Sequence, residues 1–455
     1  MLSNYGKKNF RYFYWLVQEF IKKNARLIII SFLATIVLLI SFLSLAPYIK
    51  NFFLINRQII GSIGSYNEEN LPEDIMRKIS NGFLYINEKG EYRPAIASSW
   101  EIKENSSRFK VIAKNGLFWN DGRPFTVKNI NFIFKDVDML VLDDHIIEFK
   151  LKKPLPIFLN YLSKPIFRSG TLVGVSGLYK VDKIKKKSDY ISEIYLSPNK
   201  KNLPIIVYKF FQNEKDLINA YKLGEINQMT LYKKNLADIF LSWKNTAVEK
   251  TIDYSRLLTL FINNNSPLLK EKEVRQAIAL AFDRSKFKQL GQEANSPVPP
   301  ISWAYNANLK KNTYDEELAK EIIKKYKNAS DSPKLNLNTF YDYMDNLDLI
   351  SEPLQRIDLS ISTNIVSDNR SFDFLLAYWN VSIDPDQYFF WHSTQKEGNI
   401  TNYKNLKVDK LLEDGRSTSS LEERKRIYND FQKVIVDDNP AIFLYYPYIY
   451  TIKRK

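Results

Sequence analysis

Two carboxylates, Asp384 and Asp386, flank Pro385 inside an aromatic run, YWNVSIDPDQYFFW (378–391). Glycoside hydrolysis needs two carboxyl groups facing one bond, about 5–9.5 Å apart. On a first helical turn, side chains two residues apart diverge by about 200°, so that chemistry is disfavoured here. A calcium loop needs more oxygen ligands and a glycine at its turn, and this stretch has neither. Two roles remain. One is architectural: a residue before proline is held extended, proline suits the first helical position, and Asp is a good N-cap. Asp384 would then cap a helix running through Tyr388–Trp391, with Asp386 in a first turn whose dipole favours an anion. The other role is the wall of a ligand cleft, because Trp379 and Asn380 end a strand-like run, FDFLLAYW, just before the loop.

Other reactive groups are scarce. There is no cysteine, which excludes disulfides, thiolate chemistry, Cys-ligated metal clusters and a lipidated Cys tether. Of the two histidines, His145 in DDHIIEFKL reads as an ordinary strand residue, and His392 follows the aromatic run. No nucleophile–base pair is evident. The expectation is a protein that is not an enzyme and uses no cofactor and no metal.

The elements that must position these residues read as mixed α and β. FKVIAKNGLFWNDGRPF (109–125) alternates Phe109, Val111 and Ala113, then turns at Asn115-Gly116 and Asp121-Gly122. Thr126 reads as an N-cap, with Val127, Ile130 and Phe134 on one helical face. VRQAIALAFDRSKF (274–287) places Val274, Ile278, Ala281 and Phe282 on one face. SLEERKRIYNDFQKVIV (420–436) opens with a Ser420/Glu423 capping box and buries Ile427, Phe431, Val434 and Ile435. Pro297, Pro299 and Pro300 mark a stiff connection.

At 455 residues, 45% of them hydrophobic, the chain is long enough for two lobes with real cores. The net charge is +15; residues 1–50 hold seven Lys/Arg against Glu19, or +6, leaving +9 dispersed over the rest. No nucleic-acid motif accompanies that charge, so a nucleic-acid partner is not expected. Leu27–Ile49 is an uncharged stretch of 23 residues. At 1.5 Å per residue it spans roughly 35 Å, enough for a bilayer core of about 30 Å. Six of the seven early positive charges precede it, which keeps the N-terminus cytoplasmic and exports the remainder. Ser44-Leu45-Ala46 resembles a signal-peptidase site. The long apolar run and Pro47 just past the cut favour an uncleaved anchor instead.

Several segments in order resemble family 5 extracellular solute-binding proteins, the oligopeptide-, dipeptide- and nickel-type receptors of ABC importers. RPAIASSWEI (93–102) is similar to that family's P-x-L-A-x-S-W-E. NGLFWNDGRPFTVKNINFIF (115–134) is similar to G-x-x-F-x-D-G-x-P-F-T-A-x-D-V-x-F-T-F. VSGLYKV (175–181) and VRQAIALAFDRSKF follow, then the W…DPDxF element of the aromatic run, NYKNLKVDKLLEDGR (402–416) and AIFLYYPYIY (441–450).

The resemblance implies an α/β (mixed α+β), two-lobed hinge fold of the periplasmic-binding-protein type II, peptide-receptor subclass, preceded by one transmembrane helix. The chain would cross between lobes near LLTLFINNNSP (257–267) and return near DDNPAIFLYY (437–446). That gives a cytoplasmic segment 1–26, an anchor 27–49, lobe I at 51–256 plus 437–455, and lobe II at 257–436. The copy is trimmed, because little more than KDVDMLVLDD separates Phe134 from HIIEFKL. The implied function is a monomeric, membrane-anchored, extracytoplasmic receptor that takes a peptide or peptide-like solute and delivers it to an ABC permease. Trp379, Asn380, Val381, Asp384, Asp386 and Tyr446 are the implied ligand contacts, the backbone pairing with an extended peptide by strand addition. Peptide receptors of this family usually carry an Asp between the Trp and the DPD-like element, pairing with the peptide's α-ammonium. Here Asn380, Val381, Ser382 and Ile383 stand there, and none is acidic. A degenerate member serving as an interaction or sensory module is the alternative, and a carboxylate-based hydrolase the third reading.

Overall fold

The computed structural model describes residues 3–53, 57–326, 334–368 and 371–455, with side chains described over 12–41 of the first stretch. The chain divides into two units, Met1–Arg57 with Asn202–Ile205, and Gln58–Lys201 with Ile206–Lys455. The first unit is dominated by the helix Ser3–Phe53, interrupted at Asn24 (φ −113°, ψ 16°). Asn24 Nδ2 donates to the Phe20 carbonyl at 3.1 Å, a local bond that competes with the helical ladder. Tyr12–Ser41 is long and apolar enough to cross a membrane, and its most apolar stretch of 18 residues has a mean hydropathy of 2.1. The cleavage-like Ser44-Leu45-Ala46 and Pro47 lie outside the residues whose side chains are described.

The second unit is organised on a mixed sheet of 12 strands among the described residues. Its order is Ile361–Ile365, Leu335–Thr339, Phe374–Asn380, Arg256–Ile262, Ala441–Arg454, Gln228–Leu231, Arg57–Ile63, Ile205–Phe211, Tyr190–Pro198, Tyr179–Lys187. Thr246–Ile252 and Gly291–Glu293 join it through Ala441–Arg454. That long closing strand ties the sheet together. Its start, Ala441–Tyr445, pairs antiparallel with Arg256–Ile262, and its end, Tyr448–Arg454, pairs with Thr246–Ile252. Pro447 sits at the change of partner and offers only its carbonyl, which accepts from Asp253 N–H at 2.9 Å.

Strand alternation sorts side chains into two cores. Leu258, Leu260, Ile262, Phe374 and Leu376 face one side, against Val274, Ile278, Ile323, Ile350 and Leu354. Leu257, Phe261, Leu375, Ala377 and Trp379 face the other, against Trp391, Val408, Leu412, Tyr428, Phe431 and Ile435. The expected helix in VRQAIALAFDRSKF is Lys272–Leu280, with Val274, Ile278, Ala281 and Phe282 all buried. In Leu421–Asp438, Ser420 caps Glu423 N–H, and Phe431 and Ile435 are buried as expected. Ile427 and Val434 are only half-buried; Arg424, Tyr428 and Gln432 take the buried face instead.

A separate four-stranded antiparallel sheet, ordered Ala97–Lys103, Arg108–Ala113, Ile146–Leu151, Val137–Asp143, carries its own core around Phe109, Val111 and Phe149. Gly116 (φ +70°) and Gly122 (φ +86°) make the turns expected of them. Two expectations fail nearby. The helix after Thr126 shrinks to the single 3-10 turn Val127–Asn129, with no side-chain cap. Beyond it Ile130 and Phe132 are buried while Ile133 is 93% exposed, a period of two rather than 3.6. The β-branched and Asn residues there are weak helix formers, and each aromatic inserts separately into the small core. His145 lies in the turn between Val137–Asp143 and Ile146–Leu151, not within a strand.

Candidate functional site

Trp379 and Asn380 end the strand Phe374–Asn380, in register with Leu257 and Arg256. The next residue, Val381, donates its N–H to the Ser255 carbonyl at 2.9 Å, so pairing persists to the edge of the loop. Asn380 is exposed and Trp379 is 8% exposed. The Trp379 ring is held edge-on by Phe390 (4.8 Å), Trp391 (5.9 Å) and Phe261 (6.1 Å). Tyr446, on the closing strand, packs in the same apolar layer and is 1% exposed. Tyr254 tilts against the Tyr446 ring at 5.4 Å, and burial raises the pKa of the Tyr446 hydroxyl.

The acidic pair is not the start of a helix. The helix is the single turn Tyr388–Trp391, its cap position falls on Gln387, and no side chain caps it. Asp384 and Asp386 instead make two successive turns. Asp386 N–H donates to Asp384 Oδ1 at 3.0 Å, and Tyr388 N–H donates to Asp386 Oδ1 at 3.2 Å. Their remaining charge is met by two arginines. Arg424 Nη2 donates to Asp384 Oδ1 at 3.2 Å, with only 5% and 13% of the two side chains exposed. Arg416 Nε lies 3.2 Å from Asp386 Oδ2, an ion pair without hydrogen-bond alignment. Arg416 also stacks on Tyr388 at 4.5 Å. Burial raises the Asp386 carboxyl above its ordinary range; Arg416 opposes that and Asp384 adds to it. Burial works against the charged Arg424 guanidinium, but Asp384 and the hydroxyls of Tyr428 and Tyr92 outweigh it, and its pKa lies above the ordinary value.

Arg424 also anchors a contact between distant parts of the chain. Its Nε donates to the Gly415 carbonyl at 2.9 Å, and its guanidinium lies 5.2 Å from the Trp303 ring. The hairpin of Leu84–Ile86 and Tyr92–Pro94 reaches the same place. Gly90 at its tip (φ +81°) lies under Trp303, where an added Cβ would stand 2.5 Å from the indole. Tyr92 donates to Asn160 Oδ1 at 2.7 Å, and its hydroxyl pKa is raised by burial and by Asp384. A second bridge joins Lys233 to Asp345 at 2.6 Å. Arg256, at the start of its strand, is sandwiched between Tyr232 (4.5 Å) and Tyr378 (4.7 Å).

Of the residues expected to form a site, the structure brings Trp379, Asn380 and Val381 together at one strand end. Asp384 and Asp386 lie in the loop behind them, and Tyr446 lies in the layer beneath. Sequence reasoning missed Arg424, Arg416 and Trp303. One signal was available: Arg424 leads Tyr428, Phe431 and Ile435 at spacings of four, three and four, which places a charge on a buried face. No group of His, Asp or Glu among the described residues is arranged to hold a metal ion.

Residues 91–400 match the model of the middle region of bacterial extracellular solute-binding proteins, family 5, and the chain belongs to that family. Among its relatives is the oligopeptide-binding protein AppA of Bacillus subtilis, 26% identical over 402 residues, covering 80% of this chain and 69% of AppA. The periplasmic oligopeptide-binding protein OppA of Salmonella typhimurium is 22% identical over 477 residues, covering 86% of each. The solved structure of Bacillus subtilis AppA in complex with a nonapeptide matches with a TM-score of 0.69 at 22% identity, over 88% of this chain and 94% of AppA. NikZ of Campylobacter jejuni in complex with Ni(L-His) matches with a TM-score of 0.73 at 22% identity, over the same shares. The fold is thus the mixed α/β, two-lobed solute-binding fold.

Proposed function

We propose that this chain is the membrane-anchored, extracytoplasmic receptor of an ABC importer, acting as a monomer. It captures a peptide-like solute between two lobes and hands it to the permease. The observation that carries the reading is the strand end Trp379–Asn380–Val381. In a member of this family, its ladder with Leu335–Thr339 stops at Leu376 while pairing with Arg256 and Ser255 continues to Val381, beside a fixed aromatic ring, and a strand end paired on one side suits an extended main chain. The oligopeptide-binding relatives support a peptide as the solute. Trp379, Asn380 and Val381 contact the solute in this reading, and Tyr446 supports them from below. Asp384 and Asp386 act through position: with their charges met by Arg424 and Arg416, they hold the loop that follows the strand end.

In this reading the lobes divide at 51–256 plus 437–455 and 257–436; the change of partner along Ala441–Arg454 falls at Pro447, which favours a return crossing later than Asp437. The apolar helix is an uncleaved anchor with the N-terminus in the cytoplasm, supported by the basic residues preceding Leu27. Two measurements test the proposal. Native mass spectrometry of full-length protein taken from its membrane fraction should show a peptide-mass adduct that Trp379→Ala loses; a bare protein, or an adduct indifferent to Trp379, counts against capture. Peptide mapping of the same fraction should recover segments upstream of Leu27 joined to the chain, whereas a new N-terminus near Pro47 would refute the anchor.

A further inference from the structure

One half of the 12-stranded sheet gathers lysines at a single end. Arg57–Ile63 runs parallel to Gln228–Leu231. Ile205–Phe211 lies on its other side, where Gly64 N–H donates to the Phe211 carbonyl at 2.9 Å. From Phe211 the helix Glu214–Leu223 carries the chain back to the start of Gln228–Leu231, the crossover that parallel strands require. The three strands therefore start at the same end. The closing strand finishes there: Arg454 N–H donates to the Asn227 carbonyl at 2.9 Å, and Lys455 N–H to the Asn245 carbonyl at 3.0 Å. Tyr179 pairs with Pro198 just before the turn into Ile205–Phe211, which brings a fourth and a fifth strand to the same end.

Lys180, Lys200, Lys201, Lys222, Lys244 and Lys455 stand at these strand ends and in the turns beside them, and all are exposed. None of them forms an ion pair with a carboxylate among the described residues. The acidic residues nearest to them in the chain are Asp182, Glu225 and Glu249, and Glu249 is already engaged by Lys453 at 2.9 Å. Exposed leucines stand among the lysines. Leu223, the last residue of its helix, is 76% exposed, and Leu178 and Leu241 are exposed as well. Lysines around exposed leucines suit a surface of charged headgroups over an apolar layer.

Chain length keeps a bilayer within reach of that end. The helix Ser3–Phe53 stops four residues before Arg57, a gap of at most about 14 Å however the chain runs. The uncharged stretch ends at Ile49, about 6 Å earlier along the helix. We propose that this end of the sheet is a docking face for the anionic lipid headgroups of the leaflet from which the anchor emerges. The inference rests on the anchored reading of the apolar helix. A second copy of the chain would set lysine against lysine, whereas lipid phosphates match the charge. Each lysine near an anionic surface favours contact by about fivefold, and the attraction fades beyond about 8 Å at physiological salt, so a short tether is what makes it count. Docking holds the receptor in one orientation on the membrane that contains its permease.

The test uses full-length protein in phosphatidylcholine nanodiscs with and without phosphatidylglycerol, and with a lipid carrying a nitroxide on its headgroup. The chain has no native cysteine, so a single bimane label goes on Ser242→Cys or on Gln212→Cys. Ser242 is exposed and precedes Asn245 by three residues; Gln212 is exposed and follows Phe211, about 20 Å away at the opposite end of that strand. The expected result is quenching at position 242 that rises at least about twofold with phosphatidylglycerol, while position 212 does not respond. The rise should vanish in about 0.5 M salt, where screening acts within about 5 Å. It should also vanish when all six lysines are changed to Gln. Should that variant misfold, the salt arm on the unchanged lysines decides. Equal quenching at 242 in both lipids, an equal rise at 212, or a rise that survives salt overturns the docking face. In each of those cases, recovery of peptides upstream of Leu27 from the nanodiscs leaves the anchor standing. A chain cut near Pro47 and lost from the nanodiscs overturns the anchor and the docking together.

Discussion

Arg424 carries more consequence than the acidic pair that first drew attention. Were Asp384 a helix cap, its removal would cost about 0.5–2 kcal/mol. Its partner is instead a guanidinium 5% exposed, so Asp384→Ala strands a buried charge. The expected loss is about 3 kcal/mol, at the lower end for breaking a buried pair because Arg424 keeps the Gly415 carbonyl and the Trp303 ring. Chemical denaturation measures it, and a loss below 1 kcal/mol would show that water replaces the carboxylate. Asp386 gives a pH signature. Its folded pKa is raised above the unfolded value of about 3.9, so its contribution to stability is fully present below that value and is lost as pH rises through the folded pKa. Asp386→Asn removes that loss. The variant should therefore improve relative to wild type between pH 3 and pH 7, and a difference that stays flat or moves the other way would mean Arg416 dominates the site.

At the scale of elements, the hairpin Leu84–Pro94 and the turn at Asn115-Gly116 form a matched pair. Gly90 and Gly116 both have positive φ, which costs a substituted alanine about 1–2 kcal/mol. An added Cβ at Gly116 meets nothing within 4 Å, whereas at Gly90 it meets Trp303. Gly90→Ala should thus be the more damaging of the two, and equal melting temperatures would mean that the hairpin tip does not rest on Trp303 in solution. The hairpin turns of residues 115–122 were legible because Gly needs no partner to adopt positive φ. The false helix at 127–134 was not. Its spacing fits a helical face, but each aromatic is drawn separately into a small core that only the assembled four-stranded sheet provides. The Arg424 face was half legible: the three-and-four spacing is in the sequence, but its carboxylate partner lies 40 residues away.

For the whole molecule, the Gly90–Trp303 and Lys233–Asp345 contacts bridge segments that the proposed hinge would separate. Absence of native cysteine makes the chain ready for spin labelling at Lys135→Cys and Lys425→Cys, exposed positions in the two proposed lobes. Adding a peptide shown by calorimetry to bind the full-length protein should narrow the distance distribution toward a single short separation, the population shift expected of a ligand that prefers the closed state. A broad distribution that persists with peptide bound would argue against closure.

The sequence by itself determined the family, because its motifs are turn glycines, strand alternations and helix faces whose local physics is complete within a few residues of each other. It also determined the apolar span and the absence of thiol chemistry, which are matters of composition. Only the tertiary structure decided what the acidic pair does. A carboxylate's role depends on which cation lies within about 4 Å, and Arg416 and Arg424 reach Asp386 and Asp384 across chain separations that no local pattern encodes. The same holds for the cavity of about 240 Å³ beside Trp379: its walls come from residues 261, 340, 375–379 and 389–401, and a volume exists only once all of them are packed.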